Sequence, residues 1–282
     1  MTGGRAAGGT VPCDTGPAPL TWLYAPGDRP DTVRKALASG ADAVIVDLED
    51  AVSPGRRAYA RAATAELLSS LGPGPVPVHV RVADEDDVLA LAGLPGLAGL
   101  RLPKVTGPAD IHRAAALAPG TPLYALLESA LGVENAHAVA TAHPSVCGIA
   151  LGEADLRTDL GVGDGAGLDW PRGRVVVAAR AAGLPAPVQS VFPDVRDLDG
   201  LAVSCAYGRS LGFFGRSAIH PRQLPVIERA YLPTAREVET AMEIMAAAAS
   251  GAGALALPDG RFVDAAIVAA ARRTLLLAAA HS

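Results

Sequence analysis

From Leu20 to His220 the chain alternates short apolar runs with longer alanine-rich amphipathic stretches, and it does so eight times. The runs are LTWLYAPG, AVIVDLED, PVPVHVRV, GLRLPKV, PLYALLES, VCGIALGEADL, APVQSVFPD and FFGRSAIHP. Between them lie helical patterns such as RPDTVRKALASG, PGRRAYARAATAELLSSLG, PADIHRAAALA and WPRGRVVVAARAAG. Runs of this length suit strands, and a strand–helix unit repeated eight times is the pattern of a closed parallel barrel. The competing arrangement, an open doubly wound sheet, usually carries a glycine-rich phosphate turn after its first strand, and YAPGDRPD is not G-x-G-x-x-G. The expected fold is an α/β (β/α)8 TIM barrel over residues 20–222. A flexible leader, residues 1–19, precedes it, and a C-terminal helical extension, residues 223–282, follows. That extension is too short for a core of its own. Its last helix carries a stripe, Ile267, Ala271, Thr274 and Leu275, that asks for cover from the barrel or from a neighbouring subunit.

Composition narrows the function classes. A chain of 282 residues, half of them hydrophobic but only 4% aromatic, builds its core from Ala, Val and Leu. The net charge of -5, with no basic stripe interleaved with aromatics, argues against a nucleic-acid partner. Cys13, Cys147 and Cys205 are odd in number, far apart and free of C-x-x-C spacing, which argues against a disulfide framework or a zinc site. The first residues lack the apolar segment of a signal peptide, and every apolar run is broken short of a membrane span. The expectation is a cytoplasmic protein without a membrane partner.

In a barrel, catalytic groups sit at the C-terminal ends of the strands. Charges fall there repeatedly: Asp47, Glu49 and Asp50 after AVIV, Arg81 after VHV, Lys104 after RLP, Glu128 after YALL, Glu153 and Asp155 after GIAL, and His220 after SAI. Glu128 and Asp155 come from adjacent strands with no cation on either strand. Two converging carboxylates repel unless a proton or a cation sits between them, and a sparse oxygen set suits Mg²⁺. The plainer reading of Asp155 is a helix-start acid. Arg81 presents a rigid fork of donors for a carboxylate or an enolate, or else pairs with the acids of DLED. His79, His112, His137 and His143 read as surface or packing residues. His220 is a better candidate, balanced against a structural hydrogen bond.

Taken in order, LYAPGDRPDTVRKALASGADAVIVDLEDAV, VRV, LPKV, ESALGVENA, GEADLRTDLG, LGFFGRSAIHPRQ and DGRFVDAAIV resemble the citrate lyase beta-subunit-like CoA ester lyases. The resemblance runs from Leu20 to the final helix. It implies a barrel with a helical extension, a homo-oligomer (a trimer or dimer of trimers), and Mg²⁺-dependent cleavage or formation of malyl-, citramalyl- or citryl-type thioesters. Carried over by position, it makes Glu128 and Asp155 the metal ligands and Arg81 the substrate-contacting arginine. Gly152, Glu153 and Ala154 become part of the oxo-acid site, and Arg29 lies on the loop that admits the CoA nucleotide. Asp264 becomes an acid/base donated by the C-terminal segment, often across a subunit interface, while Asp47, Glu49 and His220 are supporting. Two departures stand out: the Asn that relatives carry after Arg81 is absent, and VRVADEDDVLALAG is shortened, so the loop that shapes the acid pocket is altered.

The chemistry so implied is carbon–carbon cleavage of a β-hydroxyacyl thioester to a 2-oxo acid and an acyl thioester, with Arg81 and Mg²⁺ countering negative charge and Asp264 moving the proton. Three alternatives remain open: a CoA-independent class II metal aldolase, a malyl-CoA thioesterase, and a non-catalytic paralogue that binds a partner or a thioester.

Overall fold

Six of the apolar runs fold into strands that pair in chain order. The computed structural model describes residues 18–72, 74–249, 255–256 and 262–280. Strands β1 (Thr21–Pro26), β2 (Ala43–Asp47), β3 (Val78–Arg81), β4 (Leu97–Leu102), β5 (Leu123–Leu127), β6 (Val146–Leu151) and β7 (Arg216–Ala218) form one curled sheet in the order β6-β5-β4-β3-β2-β1-β7. Every pairing is parallel. The connections are helical: α1 (Pro30–Leu37), α2 (Arg57–Ser70), α3 (Glu85–Leu91), α4 (Pro108–Leu117), α5 (Ala130–Glu134), α6 (Ala136–Ala140), α7 (Glu153–Leu160), α8 (Asp169–Ala181) and α9 (Leu198–Ser210). β2 is buried along its whole length, as a parallel strand covered on both faces must be.

The expected seventh strand differs. In APVQSVFPD only Gln189 bridges β7, at Arg216, and β6 is reached by a side chain, with Ser190 Oγ donating to Leu151 O at 2.5 Å. Pro185, Pro187 and Pro193 have no N–H to give a ladder, so the segment joins the β7 edge through only three backbone bonds, Phe214 N to Pro187 O, Gln189 N to Gly215 O and Ser217 N to Gln189 O, and forms no regular strand. The ladder therefore holds seven strands where the sequence pattern predicts eight.

Local signals set the helix starts. Pro30 sits in the first turn of α1 with Asp31 beside it, and Asp84 caps α3 by accepting from Asp87 N at 3.0 Å. Asp87 is fully buried and binds Arg61 Nε at 2.5 Å. Asp84, Asp86 and Asp87 of the ADEDD stretch are thus engaged in capping and with Arg61, while Glu85 lies 3.9 Å from Arg113.

The chain divides into two compact units, one ending at Glu228 and one beginning at Arg229. Helix α10 (Leu224–Tyr231) runs across that boundary. In the second unit α11 (Ala235–Ala248) packs on α12 (Ala265–Ala280), and Ala241, Ile244, Val263 and Ala271 form a small core flanked by Met245, Ile267, Val268 and Leu275. A two-stranded antiparallel pair, β8 (Leu255–Ala256) with β9 (Phe262–Val263), completes it. Of the α12 stripe, Ala271 is buried in this small core and Ile267 and Leu275 pack against it partly buried. The leader, residues 1–19, falls almost wholly outside the described residues. Cys147 is disulfide-bonded, against the expectation from cysteine count, while Cys205 is a free, buried thiol. No helix among the described residues is long and apolar enough to cross a membrane.

β7 is placed by one glycine. Gly215 has φ +77°, and a Cβ there would lie 2.5 Å from Leu20 O. Gly215→Ala is expected to cost at least about 2 kcal/mol, from the left-handed backbone and the clash together. A lowered midpoint in urea denaturation checks this.

Candidate active site

The C-terminal ends of the strands surround a cavity of about 1450 Å³. Its lining includes Pro26, Asp47, Asp50, Arg81, Glu128, Gly152, Asp155 and Ile219, contributed by strands or strand ends from β1 to β7. Small-molecule sites usually occupy roughly 300–1000 Å³, so there is room for more than a small acid.

Arg81 is the hub. Asp47 grips it twice, at Nε (2.7 Å) and Nη2 (2.6 Å), across the register pair that joins β2 to β3. Its Nη1 lies 3.1 Å from both Asp50 Oδ2 and Glu49 Oε2, and the Tyr24 ring lies 5.3 Å from its Cζ. Burial opposes the Arg81 charge, but the bonds and charge of Asp47 outweigh it and raise the pKa above its ordinary value. Strand alternation alone would send Asp47 and Asp50 to opposite sides. β2 ends at Asp47, so the chain turns and both acids face the arginine. Of the two readings of Arg81, the ion pair with the DLED acids is present.

Glu49 continues the network. It is buried, accepts from Lys104 Nζ at 2.6 Å, and burial holds its carboxyl above the ordinary range despite Lys104 and Arg81. Its Oε2 has no hydrogen bond of good geometry among the described residues, although Arg81 is close. Lys104 has φ +53°, the left-handed value that few non-glycine residues adopt, and its backbone N–H donates to Glu128 Oε2 at 3.0 Å.

Glu128 is only 5% exposed. Burial, then the charge of Glu49, pushes its pKa to about 7; Asp155 adds to the rise, and Lys104 N and Arg81 oppose it. Gly152 makes its position possible, since a Cβ there would lie 2.4 Å from Glu128 Cγ. Asp155 is exposed, in the first turn of α7, and lines the same cavity.

The other expected residues divide. Glu153 lines the cavity but is held bidentately by Arg172, at 2.9 and 2.6 Å, with its amide 3.4 Å from Ser190 Oγ. Gly152 and Ala154 also line it. Arg29 does not: its side chain is 69% exposed, with Asp28 Oδ1 3.9 Å away. His220 is also outside the lining; its Nδ1 accepts from Arg222 N at 3.1 Å, capping the turn Pro221–Gln223. Asp264 caps α12 by accepting from Ile267 N at 2.9 Å, in the second unit.

Sequence reasoning overlooked Arg101, Arg172 and Arg216, all of which line the cavity. Arg101 is 3% exposed, with its Cζ 4.4 Å from the Trp22 ring centroid and 5.4 Å from that of Tyr124. Beside it His79 meets both rings edge-on, at 4.9 and 4.7 Å, and burial followed by the Arg101 charge holds its pKa well below the ordinary value. Arg216 donates to Gln189 Oε1 at 3.1 Å and to Ser204 Oγ at 2.9 Å. The signal for Arg101 was in GLRLP, where a cation alternates with two leucines and so must face the other side of the sheet.

A protein-family model described as HpcH/HpaI aldolase/citrate lyase matches residues 20–221. A (3S)-malyl-CoA thioesterase of Cereibacter sphaeroides is 36% identical over 270 residues, covering 92% of this chain and 94% of that protein. A citrate lyase subunit beta of Leuconostoc mesenteroides subsp. cremoris is 34% identical, covering 93% of each. Among solved structures, CitE of Mycobacterium tuberculosis, in complex with magnesium, acetoacetate and coenzyme A, superposes with a TM-score of 0.81 at 32% identity over 93% of this chain and 98% of that one. The chain belongs to the HpcH/HpaI aldolase/citrate lyase family, and its α/β fold is the TIM-barrel-like one of that structure.

The Glu128 carboxyl makes a pH prediction. Its folded pKa of about 7 lies above the usual 4.5, so folding takes up a proton between those values, and the metal-free protein loses stability as pH rises through that window. Glu128→Gln is always neutral. Its stability relative to the wild type should rise from pH 4.5 to pH 8 by on the order of 2–3 kcal/mol, read by denaturant unfolding in EDTA. A difference that is flat with pH would mean that Glu128 is not desolvated.

Proposed function

We propose that the protein is a Mg²⁺-dependent carbon–carbon lyase or synthase acting on a β-hydroxyacyl-CoA, or acyl-carrier, thioester of the malyl, citramalyl or citryl type. The observation that carries this reading is Glu128: a buried carboxyl with a near-neutral pKa, beside Asp155 and within the field of Arg81, in a cavity larger than a small acid needs. We read the sheet and the segment 187–192 together as an eight-membered barrel.

The residues fit the metal. No cluster of three or more His, Cys, Asp or Glu side chains suited to a metal ion occurs among the described residues, which disfavours an all-protein cage. Mg²⁺ needs no such cage, because it keeps several waters and is held by one or two carboxylates and its substrate. Glu128 and Asp155 would hold it. When bound, it supplies Lewis-acid stabilisation to oxygens of the 2-hydroxy acid.

The rest follows from this chain's own groups. Cleavage breaks the bond between the hydroxyl-bearing carbon and the thioester's α-carbon: the hydroxyl gives its proton to solvent water and becomes the carbonyl of the oxo acid, and the bonding pair passes to the thioester as an enolate. Arg81, locked by Asp47 on its Nε–Nη2 edge, offers Nη1 to that negative charge once the exposed Asp50 swings away. Glu128 and Glu49 exclude a second anion from the acid side of the cavity, which orients the substrate. Asp264, the acid/base that the family resemblance implies, gives a proton to the enolate carbon and regains one from solvent.

A second reading is favoured by the 36% identity to a (3S)-malyl-CoA thioesterase. In it, water attacks the thioester carbonyl, and the products are the free hydroxy acid and CoA. Incubation with malyl-, citramalyl- and citryl-CoA, with and without Mg²⁺, followed by mass spectrometry, separates the two. The lyase gives a 2-oxo acid and an acyl-CoA, and no oxo acid from any thioester sinks it.

Two variants test the roles. Arg81→Lys keeps the charge but loses the planar fork, so turnover should fall by about 100-fold or more; unchanged kinetics would reduce Arg81 to a structural ion pair. Asp264→Asn preserves the helix cap, since Asn caps as well as Asp, but removes the transferable proton. It should lower turnover by roughly 100-fold with an unchanged melting temperature.

A further inference from the structure

We propose that Arg101 is a substrate-binding residue that receives a second carboxylate at the floor of the cavity, so that the acid half of the substrate is a dicarboxylic 2-oxo acid. The identity of the acid rests on the lyase reading above; the anion site does not.

Arg81 and Arg172, which also line the cavity, are each paired with carboxylates, and Arg216 is hydrogen-bonded to Gln189 and Ser204. Arg101 has no carboxylate within ion-pair distance and no hydrogen bond to its guanidinium among the described residues, and its buried Nε is without a partner. Its surroundings are the faces of Trp22 and Tyr124. Burial, with the nearby Arg81, lowers its pKa, and only Tyr24 and Tyr124 oppose that. A guanidinium nonetheless stays charged in proteins. A buried cation with no counter-charge is costly, and an anion that enters from outside balances it.

Chemistry and place select the anion. A planar fork of donors matches a carboxylate, and the aromatic faces beside it leave the fork's edge for that ligand. His79 is held neutral and adds no second charge. Arg101 is the register partner of Arg81 on the adjacent strand. Neighbouring strands lie about 4.8 Å apart. A four- or five-carbon diacid with one carboxylate at the Glu128–Arg81 level can therefore set its other at Arg101.

The test needs neither CoA nor metal, so it stands apart from turnover. The chain has two tryptophans, and Trp170 is exposed, so Trp170→Phe leaves Trp22, stacked on Arg101, as the reporter. In EDTA, oxaloacetate should change Trp22 emission saturably and bind at least about tenfold more tightly than pyruvate, which lacks only the second carboxylate. Arg101→Gln should bring the two affinities within about threefold of each other. Without ligand it should melt at the same temperature or higher, because an unpaired buried charge is gone. Should Arg101→Gln fail to fold, Arg101→Lys takes its place, and the preference must again fall. Equal affinity for the two acids in the Trp170→Phe protein, or a preference that survives replacement of Arg101, overturns the proposal.

Discussion

The ion pair between Asp47 and Arg81 is the constraint on which the site depends. It spans β2 and β3 at their C-terminal ends, with both contacts under 2.8 Å, and fixes the arginine's orientation before any ligand arrives. From it the network extends through Glu49 to Lys104 Nζ, and from the backbone of Lys104 to Glu128. Four consecutive strands are thereby tied by side chains as well as by ladder bonds. The left-handed backbone at Lys104 is the local strain that this arrangement tolerates, and it turns the N–H toward Glu128.

Burial then separates the site's charges into two regions. At the mouth, acids crowd together, and the desolvated Glu128 gains from any cation that joins it. At the floor, Arg101 is surrounded by rings and gains from any anion. A ligand that presents a cation-chelating end and a distal carboxylate satisfies both. The same two features distinguish this cavity from the paired and exposed charges elsewhere on the first unit, such as Arg56 with Asp28 or Arg34 with Asp31.

Family membership limits the chemistry without choosing the reaction, because relatives of similar identity carry different names, one a thioesterase and one a citrate lyase subunit. Thioester hydrolysis and carbon–carbon cleavage differ in which bond of the substrate breaks. One fold can host either, so the reaction is argued from the site and not from the sheet.

Much of the sheet was legible in the sequence, because a parallel strand buried on both faces must be a continuous apolar run, and β2 and β5 are such runs. Strand ends were legible too, since charges immediately after such runs have few places to go, and Asp47, Arg81, Glu128 and Asp155 do share one cavity. The seventh strand was not, because its apolar pattern says nothing of the hydrogen bonds that its prolines cannot make. The cover of α12 was also hidden, for an apolar stripe shows that it needs a partner and not which one. Distances of tens of residues along the chain decided the remainder. Only the tertiary structure brought Lys104 to Glu49 and, among the described residues, kept every carboxylate out of ion-pair distance of Arg101, because charge compensation inside a protein depends on proximity in three dimensions and on burial, neither of which a linear order contains.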